Sequence, residues 1–224
     1  MGYYIDIEKI TLDEYKKVLE DAYMIPSRAM LKENIYGSIE KFKTIGIKNV
    51  AQLQKLLKSK AKIEDVSKKI GLDQKYLNAL RLELNAYVEK PTQLTDFECL
   101  SENVKTKLAS AGIKTTLDVY DRVQSAESRN KLSTDTGISA DEILMAAKLS
   151  DLSRIRWVNH TFAYVLHEAG YDTVAKVADA DHEKLYGEVL QMNKEKQLYK
   201  GNIGKNDMLL LVKLAKALPI DIKY

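Results

Sequence analysis

The fold is decided by three stretches with the same order of residues, TIGIKNVAQL (44–53), SAGIKTTLDV (110–119) and EAGYDTVAKV (168–177). In each stretch a glycine ends one amphipathic pattern, and a second helical pattern begins within a few residues. The glycines are Gly46, Gly112 and Gly170, and they define a first, a second and a third copy. Self-similarity of this kind indicates a repeat architecture. We predict that each glycine lies just past a helix end with a positive φ.

A second set of glycines precedes a further helix in each copy, in IGLDQKYLNAL at Gly71, TGISADEILMA at Gly137 and IGKNDMLLLVK at Gly204. Two residues later stand side chains that are suited to an N-cap, namely Asp73, Ser139 and Asn206. The first two copies share one register, because 112 − 46 and 137 − 71 both equal 66. In the third copy 204 − 170 is 34 against 71 − 46 = 25, which predicts an insertion of 9 residues near 186–201.

The remaining patterns are helical as well, and no segment shows the alternation of a strand. Thr11 and Thr95 each stand three residues before a glutamate, which predicts two capped helix starts. The helix from Glu142 is predicted to continue through Arg156, because no breaker interrupts it. The expected divisions are an N-terminal helix over 1–26 and three units over 27–91, 92–149 and 150–224.

The order of apolar residues, turn, helix and Ala-Gly in IRWVNHTFAYVLHEAGYDTVAKV (155–177) resembles a helix-hairpin-helix unit. Over residues 149–219, with DLSRI, EAGYDTVAKVADAD and EVLQMNKE, the chain resembles an uncharacterised bacterial family, a domain of unknown function built from tandem helix-hairpin-helix motifs. The whole chain resembles the long members of that family. The resemblance implies an all-α fold of three tandem helix-hairpin-helix-like (SAM-like) units, preceded by an N-terminal capping helix. It implies no activity.

The chain departs from DNA-binding helix-hairpin-helix motifs at the hairpin itself. Those hairpins use two glycines, because the backbone must approach a phosphate closely. The equivalent positions here are Glu33 and Ile35 in the first copy, Cys99 and Ser101 in the second, and Trp157 and Asn159 in the third. Asn159 tolerates a positive φ and Ser101 suits an N-cap, whereas Glu33 repels an anion. Phosphate binding by these hairpins is therefore placed in doubt.

Composition excludes several classes of protein. Lys and Arg number 35 against 32 Asp and Glu, so the formal charge of +3 is too small for general attraction to nucleic acid. One cysteine, Cys99, and the lack of a signal-like apolar segment predict a cytoplasmic protein. With 3 His and 1 Cys the chain has too few soft ligands for a typical zinc site, and we expect neither a metal nor a cofactor.

The best candidate surface is SRIRWVNHT, in which polar and basic residues crowd around one turn. The candidate binding residues are Arg154, Arg156, Asn159, His160 and Thr161, with Lys105 and Lys107 of the second copy. Arginines and lysines there suit phosphate contacts. The alternative is that the arginines are solvated or pair with Asp151 and Glu168 while Trp157 packs in the core. The lysines alternate with carboxylates, which favours a mixed, solvated surface.

Neither a phosphate-binding glycine loop nor a catalytic triad motif is present in the sequence. We therefore expect a non-enzymatic binding module, a scaffold of helical repeats that contacts an unidentified protein partner. The alternative is sequence-independent binding of DNA or RNA through the hairpin backbone and basic residues. An unrecognised enzyme is the remote alternative. No membrane association is expected, since no apolar run is long enough to span a bilayer.

Overall fold

The computed structural model describes residues 2–22, 24 and 26–224, which form two compact units. The N-terminal unit comprises Ile5–Glu89, and the C-terminal unit comprises Lys90–Tyr224 together with Met1–Tyr4. The described residues form fourteen α-helices and no strand, so the prediction of an all-α fold is confirmed. The boundary between the two units lies next to Pro91. The proposed division into three repeated units stays a prediction.

The N-terminal unit packs six helices around one apolar cluster. They are α1 (Leu12–Asp21), α2 (Met30–Glu33), α3 (Ile35–Thr44), α4 (Val50–Leu56), α5 (Lys60–Ile70) and α6 (Gln74–Asn85), with a 3₁₀ turn at Pro26–Arg28. Tyr15, Phe42 and Leu77 are fully buried in this cluster. Helices α1 and α3 pack together, and α6 packs against both α4 and α5. Burial of these apolar faces is the main driving force for a unit of this size.

The C-terminal unit contains eight helices. They are α7 (Glu102–Ser110), α8 (Thr116–Tyr120), α9 (Ala126–Thr136), α10 (Ala140–Leu152), α11 (His160–Glu168), α12 (Val174–Ala178), α13 (His182–Lys196) and α14 (Lys205–Lys216), after a 3₁₀ turn at Leu94–Asp96. Helix α10 packs against α8, α9 and α11, while α14 packs against α12 and α13. Phe97, Tyr120 and Leu166 are among the fully buried side chains.

The same turn follows α3, α7 and α11. Its glycines, Gly46, Gly112 and Gly170, have φ values of 84°, 78° and 86°. The next backbone N–H donates to the carbonyl four residues before the glycine in every case, as Ile47 to Phe42, Ile113 to Leu108 and Tyr171 to Leu166. This is the Schellman arrangement, which satisfies carbonyls that a helix end leaves free. The predicted position and positive φ of the three glycines are confirmed.

The second set of predicted helix starts is confirmed in two copies and wrong in the third. Asp73 caps α6 and Ser139 caps α10, the latter with the predicted capping box. Asn206 lies inside α14, because Gly204 itself is the N-cap and has a φ of −97°. The spacings between the two successive N-caps are 73 − 59 = 14, 139 − 125 = 14 and 204 − 181 = 23, so the third copy has the predicted 9 additional residues, between Asp181 and Gly204. The turn before α13 is 2 residues shorter than in the other copies, because 181 − 170 is 11 where 59 − 46 and 125 − 112 are 13.

The role of residues 1–26 as a separate capping helix stays a prediction, and the helix within them, α1, packs against α2 and α3 in the N-terminal unit. Its start pairs with the segment before α4, just as the 3₁₀ turn pairs with the segment before α8. The bonded pairs are Leu12 with Lys48 and Val50 with Ile10 in the first copy, and Leu94 with Lys114 and Thr116 with Thr92 in the second. The capping box of Thr11 and Glu14 is confirmed. Of the predicted range, Met1, Tyr23 and Ile25 lie outside the described residues.

Two predicted helix limits are wrong. Thr95 lies within the 3₁₀ turn and caps no helix; Ser101 instead caps α7 by accepting a hydrogen bond from the Val104 N–H at 3.2 Å. Helix α10 ends at Leu152 and does not continue through Arg156. The chain reverses direction in the turn that follows. This turn could not be predicted from the sequence, because it contains no glycine or proline.

Candidate functional site

The turn between α10 and α11 places a tryptophan at the surface. Asn159 caps α11 by accepting a hydrogen bond from the Phe162 N–H at 2.9 Å, and the Val158 N–H donates to the Ile155 carbonyl at 3.0 Å. Between these bonds Trp157 has a φ of 70°, and 42% of the residue is exposed. The Arg156 guanidinium stacks 4.2 Å from the centre of its ring. The alternative that Trp157 is a core residue is therefore wrong.

The left-handed backbone of Trp157 is strained. A residue with a Cβ loses on the order of 1–2 kcal/mol in this conformation, because the Cβ approaches the following carbonyl oxygen. Glycine, the usual occupant, is absent here. Strained residues of this kind concentrate at functional sites, where the surrounding structure holds them in place. The observation makes this turn the first candidate for a site.

Trp157 borders a groove with apolar and polar side chains in its walls, called here the Trp157 groove, with a volume of about 200 Å³. The turn and the start of α11 form one wall, while α14 and the segment before it form the other. The groove is lined by Arg156, Trp157, Val158, Asn159, Phe162, Tyr199, Asn202, Ile203, Asp207, Met208, Leu210, Leu211 and Leu214. Its shape and lining suit an apolar group, since ligand pockets combine apolar walls with a few polar atoms.

A second depression of about 670 Å³ shares Tyr199 with the Trp157 groove. The ring of Tyr199 meets Phe162 edge to face at 5.3 Å between centroids. The other residues that line the second depression are Glu98, Cys99, His160, Thr161, Tyr164, Leu198, Lys200 and Gly201. Burial raises the pKa of the Cys99 thiol to about 11. The thiol is therefore protonated at neutral pH and is a poor nucleophile.

Arg154 is a buried structural residue and not a surface contact. Its side chain is 0% exposed and pairs with Asp151 at 2.6 Å. The remaining donors reach three backbone carbonyls, those of Gly2, Tyr3 and Pro219. A guanidinium with these partners does not reach an external phosphate. Arg154 is therefore not a candidate for binding an external molecule. This agrees with the alternative prediction that it pairs with Asp151.

The two predicted lysines are engaged within the C-terminal unit. Lys105 Nζ lies 3.0 Å from the Glu102 carboxylate, and 11% of the Lys105 side chain is exposed. Lys107 donates to the carbonyl of Gly137 at 2.6 Å. The same bond joins Lys41 to the carbonyl of Gly71 at 3.0 Å in the first copy. Lys105 and Lys107 thus serve local structure, and neither lines the Trp157 groove.

The other predicted residues lie in the two depressions. Arg156 and Asn159 line the Trp157 groove, while His160 and Thr161 line the second depression. Sequence reasoning missed the opposite wall, which is formed by Tyr199 and by Leu210 and Leu214 of α14. The sequence contains a signal for this wall, because the apolar run MLLLV (208–212) covers more than one face of a helix. An apolar run wider than the core-facing stripe indicates a second contact surface.

No group of three or more metal-binding side chains occurs among the residues that the structure describes. Within the same residues, no helix combines the length and apolar character that a membrane span requires.

Comparison with known proteins identifies the domain that carries both depressions. Residues 98–218 match the family model described as Domain of unknown function (DUF4332). The chain belongs to this family. The match begins just before α7 and extends beyond α14, so the Trp157 groove lies inside the DUF4332 domain. No curated protein and no solved structure matches the chain. The expected membership of a domain-of-unknown-function family is confirmed, whereas its bacterial origin stays a prediction.

Proposed function

We propose that this protein is a non-enzymatic binding module that contacts a partner protein at the Trp157 groove. The partner inserts an apolar side chain between the Trp157 turn and α14. One observation carries the proposal: a half-exposed tryptophan is held in a strained backbone conformation at the edge of a groove of about 200 Å³ that Val158, Phe162 and three leucines help to line. An apolar cavity of about 150 Å³ is large enough for benzene. The groove therefore fits one aromatic or large aliphatic side chain.

The lining of the groove supports a protein partner. Tryptophan, tyrosine and arginine dominate the energetics of protein interfaces, and Arg156, Trp157 and Tyr199 all contribute to this groove. Trp157 and Arg156 are already stacked, so the large side chain is ordered before a partner arrives. Ordering in advance reduces the entropy that binding has to overcome.

The copies themselves are proposed to be helix-hairpin-helix units whose hairpins have changed role. The Schellman turns at Gly46, Gly112 and Gly170 and the constant offset of 66 between the first two copies support this view. In the third hairpin a tryptophan stands where an anion-binding hairpin has a glycine. The replacement retains the left-handed backbone and adds a large apolar surface, which suits protein contact better than phosphate contact.

Sequence-independent binding of DNA or RNA through the third hairpin is the second candidate. The left-handed backbone of Trp157 and the N-cap at Asn159 favour it, because both features occur in anion-binding backbones. The engagement of Arg154, Lys105 and Lys107 inside the protein weighs against it. A cytoplasmic location stays a prediction, as does the absence of enzymatic activity.

The fluorescence of Trp157 gives a direct test, because the chain contains 1 tryptophan. A phage-displayed library of random peptides is selected on the wild-type protein, and selected peptides are titrated while the emission of Trp157 is recorded. We expect the selected peptides to share an apolar or aromatic anchor residue. Their binding should shift the emission to shorter wavelength, because the ring becomes buried.

Two leucines of α14 provide a matched pair of variants. Leu210 lines the groove, whereas the half-buried Leu209 beside it does not. Leu210→Gln should weaken peptide binding by about tenfold or more, since a central interface position costs at least about 1.4 kcal/mol. Leu209→Gln should leave binding within about twofold. Equal effects of the two variants, or peptides that bind without changing Trp157 emission, would contradict the proposal.

A further inference from the structure

The turn between α4 and α5 carries the densest cluster of positive charge in the N-terminal unit. Within the eight residues 55–62 (KLLKSKAK) stand Lys55, Lys58, Lys60 and Lys62, without any carboxylate. Three of them are exposed, and Lys62 is half-buried. Among the described residues, none of the four has an ion-pair partner, and the nearest acidic residue along α5, Glu64, pairs with Lys68 at 3.2 Å. This cluster is called here the four-lysine turn.

The second copy shows that the fold does not require these lysines. Helices α8 and α9 repeat α4 and α5 with an offset of 66, and Ser125 caps α9 as Ser59 caps α5. At the positions equivalent to the four lysines, the second copy has Asp121, Gln124, Ala126 and Ser128. The corresponding turn of the third copy is 2 residues shorter, because 181 − 170 is 11 where 59 − 46 is 13, and it carries Asp179, Asp181 and Glu183 beside Lys184. The turn of the second copy, which has the same length as the four-lysine turn, therefore forms with neutral or negative residues at these positions.

The lysines are also unfavourable for the isolated first copy. Like charges that lie close together repel each other, and cations at the start of a helix oppose the helix dipole. The first turn of α5 contains no acidic residue, whereas α9 has Glu127 and α13 has Glu183 there. Packing therefore does not explain why the first copy has four unpaired lysines at this turn. The other copies have no lysine or only one there. A polyanionic partner would offset both the repulsion and the dipole term.

We propose that the four-lysine turn binds the backbone phosphates of duplex nucleic acid without sequence preference. Lysine ammonium groups act as point charges that suit phosphates along a backbone. The cluster contains neither arginine nor an aromatic residue, so it lacks the groups that stack on unpaired bases. A membrane surface is disfavoured, because Leu57 of this segment and the neighbouring Leu53 are fully buried and cannot enter a bilayer. The site lies in the N-terminal unit and goes beyond the peptide groove proposed above.

The experiment is a fluorescence-anisotropy titration of two labelled 20-bp DNA duplexes of unrelated sequence with the full chain, at several salt concentrations. The test variant is Lys58→Gln/Lys60→Ala/Lys62→Ser, which introduces the residues of the second copy. The control variant, Lys194→Gln/Lys213→Ala/Lys216→Ser, removes the same charge from exposed positions of α13 and α14. The charge-preserving variant Lys58→Arg/Lys60→Arg/Lys62→Arg separates the role of charge from that of local structure.

We expect the wild type to bind both duplexes equally, with an affinity that falls steeply as salt rises. The test variant should bind at least about tenfold more weakly at low salt, and the slope of log K against log salt should decrease by about 2 to 3, because each phosphate contact contributes about 0.9. The arginine variant and the control variant should bind like the wild type. The proposal is overturned if no duplex binds at low salt, or if the test variant binds like the wild type. Equal losses in the test and control variants would overturn it as well.

Discussion

Gly112 and Gly187 are both free of neighbouring atoms where a Cβ would stand, yet their backbones differ. Gly112 has a φ of 78°, whereas Gly187 lies within α13. Gly112→Ala should lower the free energy of unfolding by about 1 kcal/mol, because a Cβ is disfavoured in the left-handed region. Gly187→Ala should raise it by about 0.5–1 kcal/mol, since alanine is the better helix former. Urea denaturation measures both changes, and a stabilising Gly112→Ala would contradict the turn assigned here.

Trp157 allows the same argument to be applied to a residue that carries a side chain. Trp157→Gly and Trp157→Ala remove the same ring, but only alanine keeps a Cβ at a φ of 70°. The glycine variant should therefore be more stable than the alanine variant by about 1 kcal/mol, which reverses the usual order of the two residues. Thermal and urea unfolding of the two proteins make the comparison. If alanine were the more stable, Trp157 would not be in the left-handed region.

At the scale of helices, one lysine in each of the first two copies connects a helix to the end of another helix. The connected pairs are α3 with the end of α5, and α7 with the end of α9. Lys41 donates to the carbonyl of Gly71, and Lys107 donates to that of Gly137, across the same sequence separation of 30 residues. Each Lys→Met substitution should lower the free energy of unfolding by about 0.5–1.5 kcal/mol, the usual worth of such a bond. Lys131 provides the control, because its helical ion pair with the exposed Asp135 is worth about 0.5 kcal/mol or less. Equal losses at all three lysines would argue against a specific role of this bond.

Helix starts and ends differed in how well the sequence predicted them. Thr11, Ser101 and Ser139 act as caps as expected, because a short side chain that accepts a local hydrogen bond is readable from sequence. The end of α10 at Leu152 was not readable, since the reversal is made by a tryptophan rather than a glycine. The opposite wall of the groove depends on how α14 packs, and such long-range contacts have no local signature.

At the scale of the molecule, Arg154 joins distant parts of the C-terminal unit. It connects α10 to residues 2 and 3 at one end of the chain and to Pro219 near the other. Arg154→Ala should lower the free energy of unfolding by about 3–5 kcal/mol, because Asp151 would be left buried without its partner. Arg122→Ala, at an exposed position, should cost about 0.5 kcal/mol or less. Similar effects of the two variants in urea unfolding would show that the buried network is not formed.

The copies share one frame and differ at their turns. The Schellman glycines and most of the N-caps recur, while the turns before α5, α9 and α13 are basic, mixed and mainly acidic, respectively. Trp157 stands in a different turn, between α10 and α11. A repeated frame can accept such changes because packing does not depend on them. The four-lysine turn and the Trp157 turn are the two places at which we propose contacts with other molecules.

The recurrence of the helix–turn unit is the claim on which the account depends most, and through-hydrogen-bond couplings in NMR spectra of the labelled protein test it directly. The couplings should pair the amide nitrogens of Ile47, Ile113 and Tyr171 with the carbonyl carbons of Phe42, Leu108 and Leu166, respectively. All three pairs observed together would agree with one turn used three times. Any of these amides paired instead with the carbonyl four residues before it, as in a continuing helix, would contradict the account.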